Sequence, residues 1–111
     1  MSVKFYGFWR SLAAYRVRVA LKLKGIDYQE IPVNLLAGEQ HDPAYLAINP
    51  QGAVPALVFP GIAQPLFQSM AILDYLDQVY PLPALMPSNP VERATVLALC
   101  HVCASDGHPL V

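Results

Sequence analysis

Apolar and polar positions divide the first third of the chain into three predicted elements. Residues 3–8 form an apolar run that predicts a short strand. Residues 15–21 repeat apolar side chains three and four positions apart, which predicts a helix, and Gly25 is typical of a helix end. Residues 26–33 alternate between apolar and polar and predict a half-buried second strand. Strand, helix and strand at this spacing form a βαβ unit, so we expect the two strands to be parallel.

The middle of the chain predicts a hairpin of two further strands. Residues 44–48 form at most a short helix, and residues 49–52 have strong turn chemistry. Residues 53–59 and 62–67 are the two predicted strands, and a Pro-Gly turn between them makes the pair antiparallel. Because proline cannot donate to a sheet ladder, Pro55 indicates either that its strand is an edge strand or that the strand starts there.

A second clear helix is predicted to open at Gln68 and Ser69 and to end before Pro81. Serine is a favourable N-cap, so Ser69 is the expected cap. Asp74 and Asp77 are expected to face away from the core. The predicted apolar face consists of Ile72, Leu73, Leu76 and Val79.

Residues 81–90 carry four of the eleven prolines, which is typical of a linker between domains. A third helix is predicted from Val91, with Pro90 suited to its first turn. We therefore expect a first domain at 1–80 and, at 91–111, the first helix of a second, helical domain, most of which is missing from this sequence. The expected apolar face of this helix consists of Val96, Leu99, Cys100 and Cys103.

Composition narrows the function classes. Charged residues make up 14% of the chain, against about 25% in a typical soluble domain. We therefore expect part of the surface to be covered by a partner chain or by further sequence. A net charge of −1 without a basic run argues against nucleic acid as a partner. The broken apolar stretches and the absence of a signal-peptide pattern favour a soluble, cytosolic protein without membrane association. Two late cysteines fit a reducing compartment.

Ser11 is the first candidate for chemistry. It stands between the first predicted strand and the first predicted helix, beside the positive end of that helix. A hydroxyl held there can cap the helix or donate to a bound anion, and the local pattern leaves both roles open.

Cys100 and Cys103 suggest two other functions, and both are disfavoured. A redox Cys-x-x-Cys pair belongs at a helix start that follows a strand, and residues 11–14 occupy that place without a cysteine. This argues against a glutaredoxin-like reductase. A structural zinc site needs four ligands, more than these cysteines and His108 supply. We expect the two cysteines to be small buried residues on an apolar helix face.

The order βαβ, short helix, ββ and α resembles the thioredoxin-like α/β fold, and four stretches narrow the resemblance further. Together they resemble the zeta class of glutathione transferases, which includes maleylacetoacetate isomerases. The resemblance covers the whole chain and implies a glutathione-binding domain followed by the start of an all-α C-terminal domain. The stretches are Trp-Arg-Ser with the following helix at 9–21, Asn-Pro-Gln-Gly with the following strand at 49–57, Gln-Ser at 68–72, and Asp-Gly-His-Pro-Leu at 106–110.

The resemblance implies a glutathione site. Ser11 matches the catalytic serine, whose hydroxyl stabilises the thiolate of glutathione. A cis peptide bond between Val54 and Pro55 would turn the backbone of Val54 outward, where the cysteinyl part of glutathione can pair with it like an added strand. Gln68 and Ser69, at a helix N-terminus, match residues that hold the γ-glutamyl carboxylate.

Four further positions follow from the same resemblance. Gln40 matches a position near the glycyl end of glutathione, and His108 matches a polar position on the first helix of the second domain. Arg10 and Arg16 are expected to help hold substrate carboxylates by bidentate pairing. The resemblance also implies a homodimer.

The chain departs from the family at one place. Zeta enzymes typically carry Ser-Ser-Cys where this chain has Ser11, Leu12 and Ala13. Leu12 and Ala13 are therefore expected to line a drier, more apolar site that lacks the thiol. The implied function is a glutathione transferase or glutathione-dependent cis-trans isomerase acting on an electrophilic, maleylacetoacetate-like substrate. The alternative is an inactive glutathione-binding or interaction module.

Overall fold

The computed structural model describes residues 3–107 of the 111-residue chain, so the position predicted for His108 lies outside it. Two single turns of 3-10 helix, Leu35–Ala37 and Glu39–His41, lie between the second strand and the second α-helix. The regular elements are β1 (Val3–Gly7), α1 (Leu12–Leu23), β2 (Tyr28–Pro32), α2 (Pro43–Leu46), β3 (Ala56–Val58), β4 (Leu66–Phe67), α3 (Ser69–Val79), α4 (Pro90–His101) and a π-helical segment, Val102–Gly107.

One four-stranded sheet has the order β2-β1-β3-β4. β1 and β2 are parallel, and β3 and β4 are antiparallel, as the βαβ unit and the hairpin predicted. The structure adds an antiparallel pairing between β1 and β3. β3 is an interior strand and begins directly after Pro55. The strand start was therefore the correct alternative for this proline and the edge position was wrong. β4 spans two residues rather than the predicted 62–67.

The core lies between the sheet and the helices α1 and α3. Its largest fully buried apolar side chains are Phe5, Val17, Leu21, Leu57, Ile72 and Leu76. The apolar face of α3 is confirmed at its centre but is wrong at Val79, which is 49% exposed. Val79 is the last residue of the helix, and the next residue, Tyr80, packs against Phe59 with the ring centroids 6.5 Å apart.

A largely buried ion pair, in which the Asp77 side chain is 15% exposed, joins the C-cap of α1, α3 and the segment after α3. Lys24 Nζ donates to Asp77 Oδ1 at 2.9 Å, and the Lys24 side chain is fully buried. The same nitrogen donates to the carbonyl of Pro83, and the backbone N–H of Leu85 donates to Asp77 Oδ1 at 2.8 Å. The expectation that Asp77 faces away from the core was wrong, because helical periodicity does not show a partner 53 residues distant.

This ion pair also sets the pKa of Asp77. Burial alone would raise that pKa, but the hydrogen bonds from Lys24 and from the backbone of Leu85 hold it below its usual value. The carboxylate is therefore ionised at neutral pH in the folded chain.

The helix α4 lies apart from the core and leaves a groove of about 360 Å³ against α1 and α3. Val96 and Cys100 of the predicted apolar face are half-buried in this groove. Leu99 and Cys103 are exposed, so the expectation that both cysteines are buried was wrong for Cys103. Within residues 3–107, each helix is too short or too polar to cross a bilayer.

Candidate functional site

Ser11 caps α1. Its backbone is extended, and its Oγ accepts a hydrogen bond from the backbone N–H of Ala14 at 3.1 Å. Capping is one of the two roles that the local sequence pattern left open, and anion binding is the other. Because Oγ acts as the acceptor in this bond, the hydroxyl proton of Ser11 can still be donated to another group. Capping and donation to an anion are therefore compatible.

A second hydroxyl lies at the start of α3. Ser69 is the first helical residue and is 6% exposed, whereas Gln68 occupies the N-cap position. The prediction of Ser69 as the N-cap was therefore wrong by one residue. The Gln68 backbone adopts φ 73°, and its side-chain amide donates to Gln51 Oε1 at 2.7 Å. Ser69 Oγ accepts a hydrogen bond from Arg16 Nη1 at 3.2 Å.

The turn before β3 is fixed by a buried asparagine. Asn49 is 1% exposed, and its side chain accepts from the backbone of Gln51 and donates to the carbonyl of Ala53 at 2.9 Å. The buried hydroxyl of Tyr45 donates to the same carbonyl, and burial raises the pKa of Tyr45 to about 12. Gly52 has φ +63°, and a Cβ there would lie 3.3 Å from a backbone oxygen. The turn therefore leads into residues 54 and 55 in one defined conformation.

The peptide bond between Val54 and Pro55 is cis, as the family resemblance implied. Both residues are buried against the core and also line a cleft of about 300 Å³. The N-terminus of α3, the first turns of α1, the turn before β3 and the end of α4 form this cleft. Its lining residues are Ala13, Arg16, Asn49, Gln51, Ala53, Val54, Pro55, Gln68, Ser69, Met70, His101 and Ala104.

The cleft brings together six residues that the sequence predicted, namely Ala13, Arg16, Val54, Pro55, Gln68 and Ser69. Ser11 does not line it but stands two residues before Ala13 at the same helix N-terminus. Arg10 is also outside the cleft and stacks on the exposed Trp9 ring, with 5.5 Å from its guanidinium carbon to the ring centroid. Leu12 is 36% exposed.

Gln40 lies behind the turn rather than in the cleft. Its backbone oxygen approaches Gly52, and its side-chain Oε1 is buried without a hydrogen-bond partner among the described residues. Gln51, which precedes Gly52 in the turn, does line the cleft.

The charge of the cleft favours an anion. Among the described residues its walls contain no aspartate or glutamate, whereas Arg16 contributes a positive charge beside Ser69. The free backbone N–H groups and the dipole at the start of α3 add a partial positive charge at the same end. In the part of the chain that the structure describes, no group of three or more His, Cys, Asp or Glu side chains could hold a metal ion.

Several lining residues were not predicted as site residues. Asn49, Gln51 and Ala53 belong to the Asn-Pro-Gln-Gly turn region, which local chemistry identified only as a turn and strand start. His101 and Ala104 reach the cleft because α4 and the segment after it return towards α1. A local sequence pattern does not reveal such a return, because it depends on the path of residues 80–90.

Comparison with known proteins places this geometry in a family. The protein-family model of the glutathione S-transferase N-terminal domain matches residues 1–78. The chain belongs to the glutathione S-transferase family. It is 50% identical over 110 residues to maleylacetoacetate isomerase of Pseudomonas aeruginosa, covering 97% of this chain and 51% of that protein.

Two solved structures support the same relationship. A maleylacetoacetate isomerase from Methylobacterium extorquens AM1 with bound malonate and glutathione is 56% identical, with a TM-score of 0.91, over 97% of this chain and 50% of that one. A holo maleyl pyruvate isomerase described as a zeta-class bacterial glutathione S-transferase is 44% identical, with a TM-score of 0.89, over 96% of this chain and 50% of that one. These findings confirm the thioredoxin-like fold and the zeta resemblance. This chain spans about half the length of the curated relatives it matches.

Proposed function

We propose that the chain forms the glutathione-binding part of a zeta-class glutathione transferase. The observation that carries this proposal is the cleft in which the cis Val54–Pro55 segment faces the N-terminus of α3 and the Ser69 hydroxyl. A backbone edge beside an anion-binding helix N-terminus suits a peptide with a free carboxylate. Structures of similar proteins with bound glutathione support the same ligand.

The groups that line the cleft would orient glutathione in one direction. The backbone of Val54 would pair with the cysteinyl residue, and Ser69 with the backbone at the start of α3 would hold the γ-glutamyl carboxylate. Gln68 lines the same end. Gln40, whose backbone contacts the turn that carries Gln51, would lie towards the glycyl end.

Ser11 would activate the thiol. A free thiol with a pKa near 8.5 is only about 3% ionised at pH 7. Lowering the pKa by about two units would make most of it nucleophilic and requires about 2.7 kcal/mol of preference for the thiolate. A hydrogen bond from the Ser11 hydroxyl and the positive end of α1 together supply about that much. The cap bond from Ala14 leaves the proton of Ser11 available for this purpose.

The proposed substrate is a conjugated cis alkene of the maleylacetoacetate type. The thiolate sulfur adds to one alkene carbon, and the electron pair of the double bond moves onto the adjacent carbonyl as an enolate. The former carbon–carbon double bond is now a single bond, and rotation about it follows. The enolate pair then re-forms the double bond in the trans geometry and expels the thiolate, so glutathione is regenerated. The exposed guanidinium of Arg10 is available to pair with a substrate carboxylate.

We further propose that residues 1–80 form the glutathione-binding domain, 81–90 the linker, and 91–111 the first helix of a helical domain. His108 would contribute a polar group on that helix.

The low charged fraction, 14%, and the exposed Leu99 support burial against a partner copy in a cytosolic homodimer. Light scattering at micromolar concentration tests the homodimer.

A second candidate is a glutathione-binding module without catalysis. Two observations favour it: Leu12 and Ala13 replace the family serine and cysteine, and Ser11 does not line the cleft. Under this alternative glutathione binds, but its thiol keeps an ordinary pKa.

Turnover distinguishes the two functions. We expect the chain to accelerate the addition of glutathione to a chromogenic electrophile. The Ser11→Ala variant should be slower by about tenfold or more, because it lacks the hydrogen bond to the thiolate. Ser11→Thr, which keeps the hydroxyl, is the matched control. Saturable glutathione binding without any acceleration would favour the inactive module.

A further inference from the structure

Arg16 makes two contacts that connect separate parts of the chain. Its Nη1 donates to Ser69 Oγ at the start of α3, and its Nη2 donates to the carbonyl of Cys103 just after α4, both at 3.2 Å. Arg16 is half-buried and lines both the cleft and the apolar groove. One guanidinium thus links the anion end of the cleft to the end of α4.

The contact with Ser69 restricts the direction of its hydroxyl proton. A serine oxygen carries one proton and two acceptor sites, and Arg16 occupies one of the acceptor sites. The proton of Ser69 is therefore directed away from the guanidinium. A cation that donates to the oxygen also makes the hydroxyl a stronger donor.

We propose that Arg16 is a positioning residue for the γ-glutamyl carboxylate of glutathione. It acts through Ser69, whose hydroxyl it orients and polarises, and its second bond, to the Cys103 carbonyl, holds the guanidinium in position for that contact. This inference rests on the proposed function and differs from the sequence expectation that Arg16 holds a substrate carboxylate directly. Two of the five N–H groups of its guanidinium donate to Ser69 and Cys103, which fixes its position beside Ser69.

The geometry also predicts that lysine is an incomplete replacement. The planar guanidinium reaches Ser69 and Cys103 with different nitrogens, whereas an ammonium is a single compact donor group. Lysine at position 16 should serve one of the two acceptors and lose the other.

Arg18 is a matched control on the same helix. Its guanidinium forms a bidentate pair with Glu30, at 3.1 and 2.8 Å, and it does not line the cleft. Removing Arg18 takes away a charge and an ion pair two residues from Arg16. Any effect of net charge or general stability on glutathione binding should appear in this control as well.

Calorimetric dissociation constants for glutathione test the proposal. We expect Arg16→Met to raise the dissociation constant about tenfold, Arg16→Lys to raise it less, and Arg18→Met to leave it unchanged. Because Arg16 acts through Ser69, the Arg16→Met/Ser69→Ala double variant should bind no more than about twofold more weakly than Ser69→Ala alone. A glutathione analogue lacking the γ-glutamyl α-carboxylate should bind the Arg16→Met variant as well as it binds the unmodified chain.

Two results would overturn the inference while the proposed function stands. One is an unmodified chain and an Arg16→Met variant that bind glutathione equally well. The other is a double variant whose loss equals the product of the two single losses. If Arg16→Met does not fold, as far-ultraviolet circular dichroism would show, Arg16→Lys decides: weaker binding supports the inference and unchanged binding overturns it. A folded, unmodified chain that fails to bind glutathione would instead overturn the proposed function, and the inference with it.

Discussion

Replacing Asp77 with alanine should lower the free energy of unfolding by about 3 to 5 kcal/mol, the usual cost of removing one partner of a buried ion pair. The cost arises because Lys24 Nζ is fully buried and would keep only the carbonyl of Pro83 as a partner. The backbone N–H of Leu85 would lose its acceptor at the same time. Urea unfolding followed by circular dichroism measures this loss.

Asp74 provides the control for this prediction on the same helix. It pairs with Arg93 at 3.8 Å, and both side chains are largely exposed, at 54% and 43% respectively. Exposed pairs of this kind contribute about 0 to 1 kcal/mol, so Asp74→Ala should leave the chain close to its original stability. Equal losses for Asp74→Ala and Asp77→Ala would show that the buried pair has no special role.

The lowered pKa of Asp77 adds a pH dependence to the same prediction. Because the folded-state pKa lies below the unfolded value of about 3.9, the carboxylate stabilises the fold at every pH above that value. This contribution should decline as the pH falls below about 4 and be lost once the pH drops through the folded-state pKa. The Asp77→Ala variant should lack this part of the decline.

Replacing Ser11 with alanine should raise the thiol pKa of bound glutathione by about one to two units, because a hydrogen bond to a charged group contributes about 1.5 to 3 kcal/mol. The measurement is the ultraviolet absorbance of the thiolate, titrated at saturating glutathione. The same substitution removes the cap bond to Ala14 and should lower the free energy of unfolding by about 1 kcal/mol.

Ser69→Ala separates thiolate stabilisation from binding. Ser69 lies at the start of α3 and bonds to Arg16, so its loss should weaken glutathione binding without changing the thiol pKa of the bound ligand.

For the Ser11 prediction, Ser11→Asn keeps a side-chain cap acceptor and controls for helix stability. A bound thiol pKa that is unchanged in Ser11→Ala would contradict the proposed role of Ser11.

Local patterns predicted the regular elements well because each one is set by neighbouring residues. The spacing of Val17 and Leu21 identified α1, and Ile72 with Leu76 identified α3; all four side chains are fully buried. The cis bond before Pro55 was predictable only from the family resemblance, since the residues themselves are equally compatible with a trans bond.

Contacts between distant residues could not be predicted in this way. Lys24 is the C-cap residue of α1, where basic residues are common, and its burial depends on Asp77, 53 positions away. The bonds from Arg16 to Ser69 and Cys103 span 53 and 87 positions, so no periodic pattern contains them. Such contacts depend on how the helices pack and on the path of the segment that joins α3 to α4.

The most direct test of a glutathione-binding cleft is a calorimetric titration of the chain with glutathione. We predict saturable one-to-one binding, which Ser69→Ala weakens by about tenfold because the carboxylate loses a hydrogen bond beside a helix N-terminus. A folded chain that releases no saturable heat with glutathione, or a Ser69→Ala variant that binds it with unchanged affinity, would contradict this assignment of the cleft.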